Sequence, residues 1–150
     1  MFIKPKGSGI KKIKSEEVST VIYKFPNKVE STFYKFTIDG KHISKDTKNE
    51  QFLEQIEQGK VSLYYGHNSG FVHTKNKNPK FFQKTDLYFC KKVNESNPTL
   101  IYAITNNNNG TEFIDIAKSY FEDSQEMKGK IKAENYNPKT IIELVKQYNK

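Results

Sequence analysis

Leu100-Ile101-Tyr102-Ala103-Ile104, then Asn106-Asn107-Asn108-Asn109-Gly110, then Phe113-Ile114-Asp115-Ile116-Ala117-Lys118-Ser119-Tyr120-Phe121: the reading of this stretch decides the fold. Its first part is a short apolar run with aromatic and β-branched residues, the make-up of a strand buried at least in part. The asparagines and Gly110 close that run. Beyond them the spacing changes. Phe113, Ile114, Ala117, Tyr120 and Phe121 recur at i, i+1, i+4, i+7 and i+8, the pattern of one helical face. Thr111 stands where an N-cap is needed, and Glu112 and Asp115 suit the positive end of a first turn. Strand chemistry gives way to helix chemistry at this point.

Upstream, the segments read as strands. Residues 18–25 are β-branched and aromatic and end at Pro26-Asn27. In residues 32–38, Tyr34, Phe36 and Ile38 share one face of a strand, because side chains alternate. Asp39-Gly40 before Lys41-His42-Ile43 is a hairpin signal, since both turn positions tolerate positive φ. Residues 47–58 are ambiguous. Thr47 and Glu50 have capping-box spacing, Phe52, Leu53 and Ile56 lie on one helical face, and Gly59 suits a C-terminal stop. Local pattern favours a short helix there over a strand turning through Gly59. Residues 61–65 form a strand, 66–70 a turn, 71–74 a short strand and 75–80 a polar loop. Residues 81–93 supply one or two more strands.

Downstream, Met127 and Ile131 point to a short helix after Ser124. Asn137-Pro138 is an N-cap followed by proline at the first helical position, and Ile141, Ile142, Val145 and Tyr148 continue as a stripe. The expected class is α+β: an antiparallel β-rich body of about six to eight strands over residues 1–105, with two or three helices over 111–150 packed on it. Each helix is too short to persist without the sheet, so one domain of 1–150 is expected.

The chain has 150 residues and a formal net charge of +8 from 25 basic and 17 acidic groups. Every basic residue is lysine; arginine and tryptophan are absent. Lys, Asn, Ile, Tyr and Phe are encoded by AT-rich codons, and such bias is the leading explanation of the basicity. Residues 1–100 hold 18 Lys against 10 acids, whereas 101–150 hold 7 of each. One dense segment runs over Lys75, Lys77, Lys80 and Lys84 to Lys91 and Lys92, interleaved with Phe81 and Phe82. This is the candidate surface for an anionic partner, with the aromatics available for stacking. The ordinary alternative is a set of strands with aromatics inward and solvated lysines outward. Without arginine forks, sequence-specific DNA reading is disfavoured, while non-specific phosphate binding stays open.

Other chemistries are thinly supported. Mean hydropathy is −0.80 and no apolar run nears the roughly 18 residues of a spanning helix. Cys90 is the single cysteine, which excludes an internal disulfide framework and a multi-cysteine zinc site. His67 and His73 flank the 66–70 turn and could supply two metal ligands, short of the three or four a zinc site needs. Cys90 with a histidine would make a nucleophilic pair, but Leu87-Tyr88-Phe89-Cys90 reads as a buried, inert thiol. No phosphate-cradling glycine loop or nucleophile elbow is present, and no catalytic residue, metal or cofactor is expected.

Gly59-Lys60-Val61-Ser62-Leu63-Tyr64-Tyr65, Tyr88-Phe89-Cys90-Lys91-Lys92, Tyr120-Phe121-Glu122-Asp123 and Ile141-Ile142-Glu143-Leu144-Val145-Lys146-Gln147-Tyr148-Asn149 together carry a resemblance. Over residues 50–150 the chain resembles an uncharacterised family of small Bacteroidota proteins. Those share a G-K-V-S-L-Y strand, a Y-hydrophobic-K-K strand, a Y-F-x-D segment opening a helix, and a final I-V-x-x-Y-N helix. The resemblance implies export and no established activity. It also implies that Ser124 stands where relatives often carry cysteine. The N-terminal residues depart from it: Met1-Phe2-Ile3-Lys4-Pro5 is not a secretory signal, which taken alone points to the cytoplasm. The expected function is a non-enzymatic binding or structural module, envelope-associated by resemblance, that contacts a protein or an anionic polymer. A non-specific nucleic-acid binder and a small hydrolase are the alternatives. Oligomeric state is open.

Overall fold

The computed structural model describes residues 2–3, 11–12, 15–27, 29–38, 50–68, 71–73, 79–81, 85–104 and 113–150. Six strands form one antiparallel sheet: β3 (Thr20–Lys24), β4 (Glu30–Thr37), β5 (Glu50–Glu57), β6 (Val61–Asn68), β9 (Thr85–Lys92) and β10 (Thr99–Ile104), in the order β10-β9-β6-β5-β4-β3. Two short pairs accompany it, β1 (Phe2–Ile3) with β2 (Lys11–Lys12) and β7 (Phe71–His73) with β8 (Pro79–Phe81). Helices α1 (Ile114–Tyr120), α2 (Gln125–Lys130) and α3 (Pro138–Tyr148) follow, so the α+β class is as expected. The chain divides into two compact units, Met1–Glu54 and Gln55–Lys150.

In the first unit, β3 pairs with β4 about Ile22↔Thr32, and β4 pairs with β5 about Tyr34↔Leu53. The helix expected over residues 47–58 is therefore corrected: residues 50–57 are strand β5. The supposed apolar stripe does not go to one place. Leu53 is fully buried, Phe52 half-buried and Ile56 exposed, which is the alternation of a strand and not a helical face. Ladder hydrogen bonds to β4 outweigh a local pattern that a short helix could satisfy only marginally. The Asp39-Gly40 hairpin signal lies outside the described residues.

In the second unit, β6 and β9 run side by side through eight paired residues, from Val61↔Lys92 to Asn68↔Thr85. The expected 66–70 turn is also corrected: Gly66, His67 and Asn68 continue β6, because the partner strand reaches back to Thr85 and pairs with them. The polar loop of residues 75–80 ends earlier than expected, since Pro79 and Lys80 belong to β8, while 74–78 lie outside the described residues. Alternation places Val61, Leu63 and Cys90 on one face and Tyr64, Leu87 and Phe89 on the other, and all six are buried. The helices cover the first of these faces: the Tyr136 ring meets Tyr102, and Lys92 Nζ lies over the Tyr120 ring.

The helix boundaries follow the caps. Ser124 Oγ accepts the Met127 N–H at the start of α2, and Asn137 Oδ1 accepts the Thr140 N–H at the start of α3 with Pro138 in the first turn. Helix α1 starts without a side-chain cap at Phe113, and Thr111 lies outside the described residues. Phe121, Ile131, Ile141 and Val145 are each at most 1 % exposed. Burying such side chains contributes about 1.5–3 kcal/mol apiece. That burial, more than intrinsic propensity, holds helices of 6–11 residues.

Candidate functional site

The lysine surface is the first place to look. Lys75, Lys77, Lys84 and Phe82 lie outside the described residues, and Lys80 and Phe81 fall on β8, with Phe81 opposite Phe71. Lys91 and Lys92 are neighbours on β9 and so project to opposite faces. Lys92 is engaged: Nζ reaches Asp123 Oδ2 at 3.0 Å and sits 5.2 Å from the Tyr120 ring centre. Tyr148 donates its hydroxyl to the same Asp123 oxygen at 2.6 Å. Glu95 Oε2 accepts from the Lys92 N–H and from the Tyr120 hydroxyl, both at 2.8 Å.

This network has clear electrostatics. The Tyr148 hydroxyl, then Lys92, hold the Asp123 carboxyl below the usual carboxylate range. The same hydrogen bond pushes Tyr148 up to about 12. Burial and the Glu95 hydrogen bond push Tyr120 far above its ordinary value, so it stays a donor. The adjoining cleft of about 590 Å³ is lined by Lys92, Glu95, Asp115, Tyr120 and Glu122, among others. Three carboxylates face one already paired lysine there, which opposes an anion.

The nucleophile and metal candidates resolve differently. Cys90 is completely buried, and burial, then the charge of Glu95, raises its thiol far above the ordinary range. Leu63 stands opposite Cys90 while His67 stands opposite Asp86, four residues along the strands or about 13 Å away. His67 is bound to a different partner: its Nδ1 lies 3.0 Å from Asp86 Oδ1, which also accepts the Tyr65 hydroxyl at 2.6 Å. His42 lies outside the described residues, and His73 falls on β7. Among the described residues no group of three metal-ligand side chains comes together.

Two features escape a reading of sequence. One is a clamp. Asn149 Oδ1 accepts the Val61 N–H and Asn149 Nδ2 donates to the Val61 carbonyl, both at 2.9 Å. The carboxamide thus pairs with Val61 as a neighbouring strand would. A Cβ on Gly59 would overlap that carboxamide, so glycine there serves the close approach.

The other feature is the β3–β4 hairpin. Phe25 donates its N–H to the Val29 carbonyl at 2.8 Å, and Asn27 Oδ1 accepts the Val29 N–H at 3.2 Å, closing the loop after Pro26. Lys24 Nζ meets Glu30 Oε1 at 2.6 Å across the pair. Around this turn Ile22 is 60 % exposed, Tyr23 52 %, Phe25 42 % and Val29 53 %. The Tyr23 and Phe25 rings pack edge-to-face at 4.6 Å. Thr20-Val21-Ile22-Tyr23 does not alternate with polar residues, and that lack of alternation is the one sequence signal for the patch. Compared with known proteins, the chain matches no family model, no curated protein and no solved structure.

Proposed function

We propose that this chain is a binding module that acts without catalysis, and that its target is a protein met by the β3–β4 hairpin. One observation carries the reading: three large apolar side chains, Tyr23, Phe25 and Val29, are gathered and exposed on one face of the hairpin, with Ile22 exposed on the other face. Scattered exposed apolar residues are ordinary, but a contiguous group is characteristic of a contact surface. An anionic polymer is the weaker target. Lys92 is paired with Asp123, Lys24 with Glu30 and Lys130 with Glu126, and the cleft beside Lys92 is acidic. The resemblance to exported Bacteroidota proteins supports a place at the cell envelope.

A photo-crosslinking residue placed at Tyr23 of the full chain in cells tests this. The expected result is a discrete protein adduct from Tyr23 and none from exposed Lys139 on α3. No adduct, or equal labelling at both positions, removes the reading. Salt-sensitive retention of oligonucleotides or heparin without an adduct would put an anionic polymer in its place.

A further inference from the structure

The outer edge of β3, with which no described strand pairs, is self-complementary, and we infer that its occupant is a second copy of this chain, β3 against β3, antiparallel about a two-fold axis at Ile22. This deepens the proposed function and rests on its reading of the hairpin as a protein-contact surface.

The backbone register carries the inference. The Lys35 N–H bonds to the Ser19 carbonyl and the Phe25 N–H to the Val29 carbonyl. Both couples keep the register of Ile22↔Thr32, so the closely bonded pairs of this ladder include Val21↔Phe33 and Tyr23↔Ser31. The N–H and C=O groups of the intervening residues, Thr20, Ile22 and Lys24, therefore point away from β4. No described strand pairs with that side, because β3 ends the sheet order. Three outward residues spaced by two, centred on Ile22, are what a two-fold axis needs. Ile22 bonds Ile22 of the other copy, and Thr20 and Lys24 exchange bonds reciprocally. Every outward group of the strand is then satisfied, which no shift by one residue achieves.

The side chains agree. On one face Ile22 meets Ile22 across the axis, and on the other each Tyr23 meets the second copy's Val21, an aromatic to β-branched pair. No like charges stand opposite one another, since Lys24 faces Thr20. Two copies of a chain with net charge +8 repel in general. Along this edge the described charged residues are of opposite sign at the two ends of β3, Glu16-Glu17 before it and Lys24 at its close, and the antiparallel arrangement brings the Glu16-Glu17 end beside the partner's Lys24 end. Of the devices that usually blunt an edge, β3 carries only a lysine, Lys24, at its end. It has no proline, no bulge and no charge at its centre. A five-residue edge is a small interface, below about 1,200 Å², so association is reversible and concentration-dependent.

Sedimentation equilibrium of the full chain over about a hundredfold range of concentration tests this. The mass is expected to climb from 17.5 kDa toward twice that value. Ile22→Lys sets like charges on the axis at a solvent-exposed position and should weaken association about tenfold or more. Thr20 gives a readout specific to the register. Thr20→Glu sets a carboxylate opposite Lys24 and should tighten association about fivefold, whereas Thr20→Lys should weaken it by a similar factor. Circular dichroism of each variant verifies an intact sheet. A monomer at every concentration overturns the proposal, as do Thr20 variants that shift association in the same direction. A monomer whose Tyr23 still crosslinks to a different protein overturns the self-pairing while leaving the hairpin's binding role in place.

Discussion

Removing the Asn149 carboxamide is the sharpest test of how the C-terminal helix is held to the sheet. Asn149→Ala deletes two hydrogen bonds, one in each direction, to the backbone of Val61. Val61 is fully buried, so water cannot readily replace the lost partner. A typical hydrogen bond contributes about 1 kcal/mol net, and leaving a buried group unpaired costs about 1–3 kcal/mol. With two groups affected and some relaxation allowed, the expected loss is roughly 2–4 kcal/mol. That is a large part of the 5–15 kcal/mol by which domains are typically stable. Gly59→Ala should cost about 1–3 kcal/mol by another route, since its methyl would strike the carboxamide and evict it. The two changes must then be coupled. Once the carboxamide is gone, the Gly59 methyl loses its nearest obstacle, and the double variant should match Asn149→Ala within about 0.5 kcal/mol. Urea unfolding by far-ultraviolet circular dichroism gives the energies. Because the chain divides into two compact units, hydrogen exchange at the Val61 amide supplies the local readout. A loss below about 0.5 kcal/mol for Asn149→Ala, or strict additivity in the double variant, would refute the reasoning.

Further outcomes are expected. The Cys90 thiol should resist a disulfide reagent in the folded chain and react at once in denaturant, because it is wholly buried and its thiolate is disfavoured; rapid labelling of the native chain would contradict this. For Asp123→Asn the sign follows from a folded-state pKa held below the ordinary 3.8. The native carboxylate adds stability above that pH and loses it as pH falls through the lower folded value. The variant's deficit should be full at neutral pH and vanish in acid. It should stay under about 1 kcal/mol, because the Asp123 side chain is 47 % exposed and its partners are screened. At the alkaline end, the bond between Tyr148 and Asp123 should weaken between pH 10 and about 12, where a Tyr148 raised by that bond finally ionises; a spectrophotometric titration with an ordinary midpoint would disprove it.

Much of the architecture is legible in single segments. Asn137-Pro138 and Ser124 mark helix starts that the structure realises with side-chain caps on Thr140 and Met127. Strands at residues 20–24, 61–65 and 85–92 follow from β-branched and aromatic runs, and Cys90 in its apolar run is indeed buried. These are local properties, set by backbone preference and side-chain alternation within a few residues. The misreading of residues 50–57 has the complementary cause. Phe52, Leu53 and Ile56 satisfy a helical spacing, and only the ladder with β4 selects the extended form.

Contacts far apart in sequence stay invisible until the chain is folded. The Asn149 clamp joins residues 88 positions apart, and the Lys92 to Asp123 pair joins residues 31 apart. Both turn apparently plain residues into structural ones. The basic charge shows the division most clearly. Its amount, its all-lysine make-up and its bias to residues 1–100 belong to the sequence by itself. Which lysines are available to a partner does not, because a cation's reach depends on the carboxylate that folding places beside it. Likewise the apolar content of Thr20-Val21-Ile22-Tyr23 determines a strand, but only the tertiary structure puts that strand at the end of the sheet. There most of its side chains stay exposed, and half its backbone groups find no strand to pair with in the described chain. Local preference acts within a segment, whereas burial and pairing are shared between segments, and the sequence lists only the first of these directly.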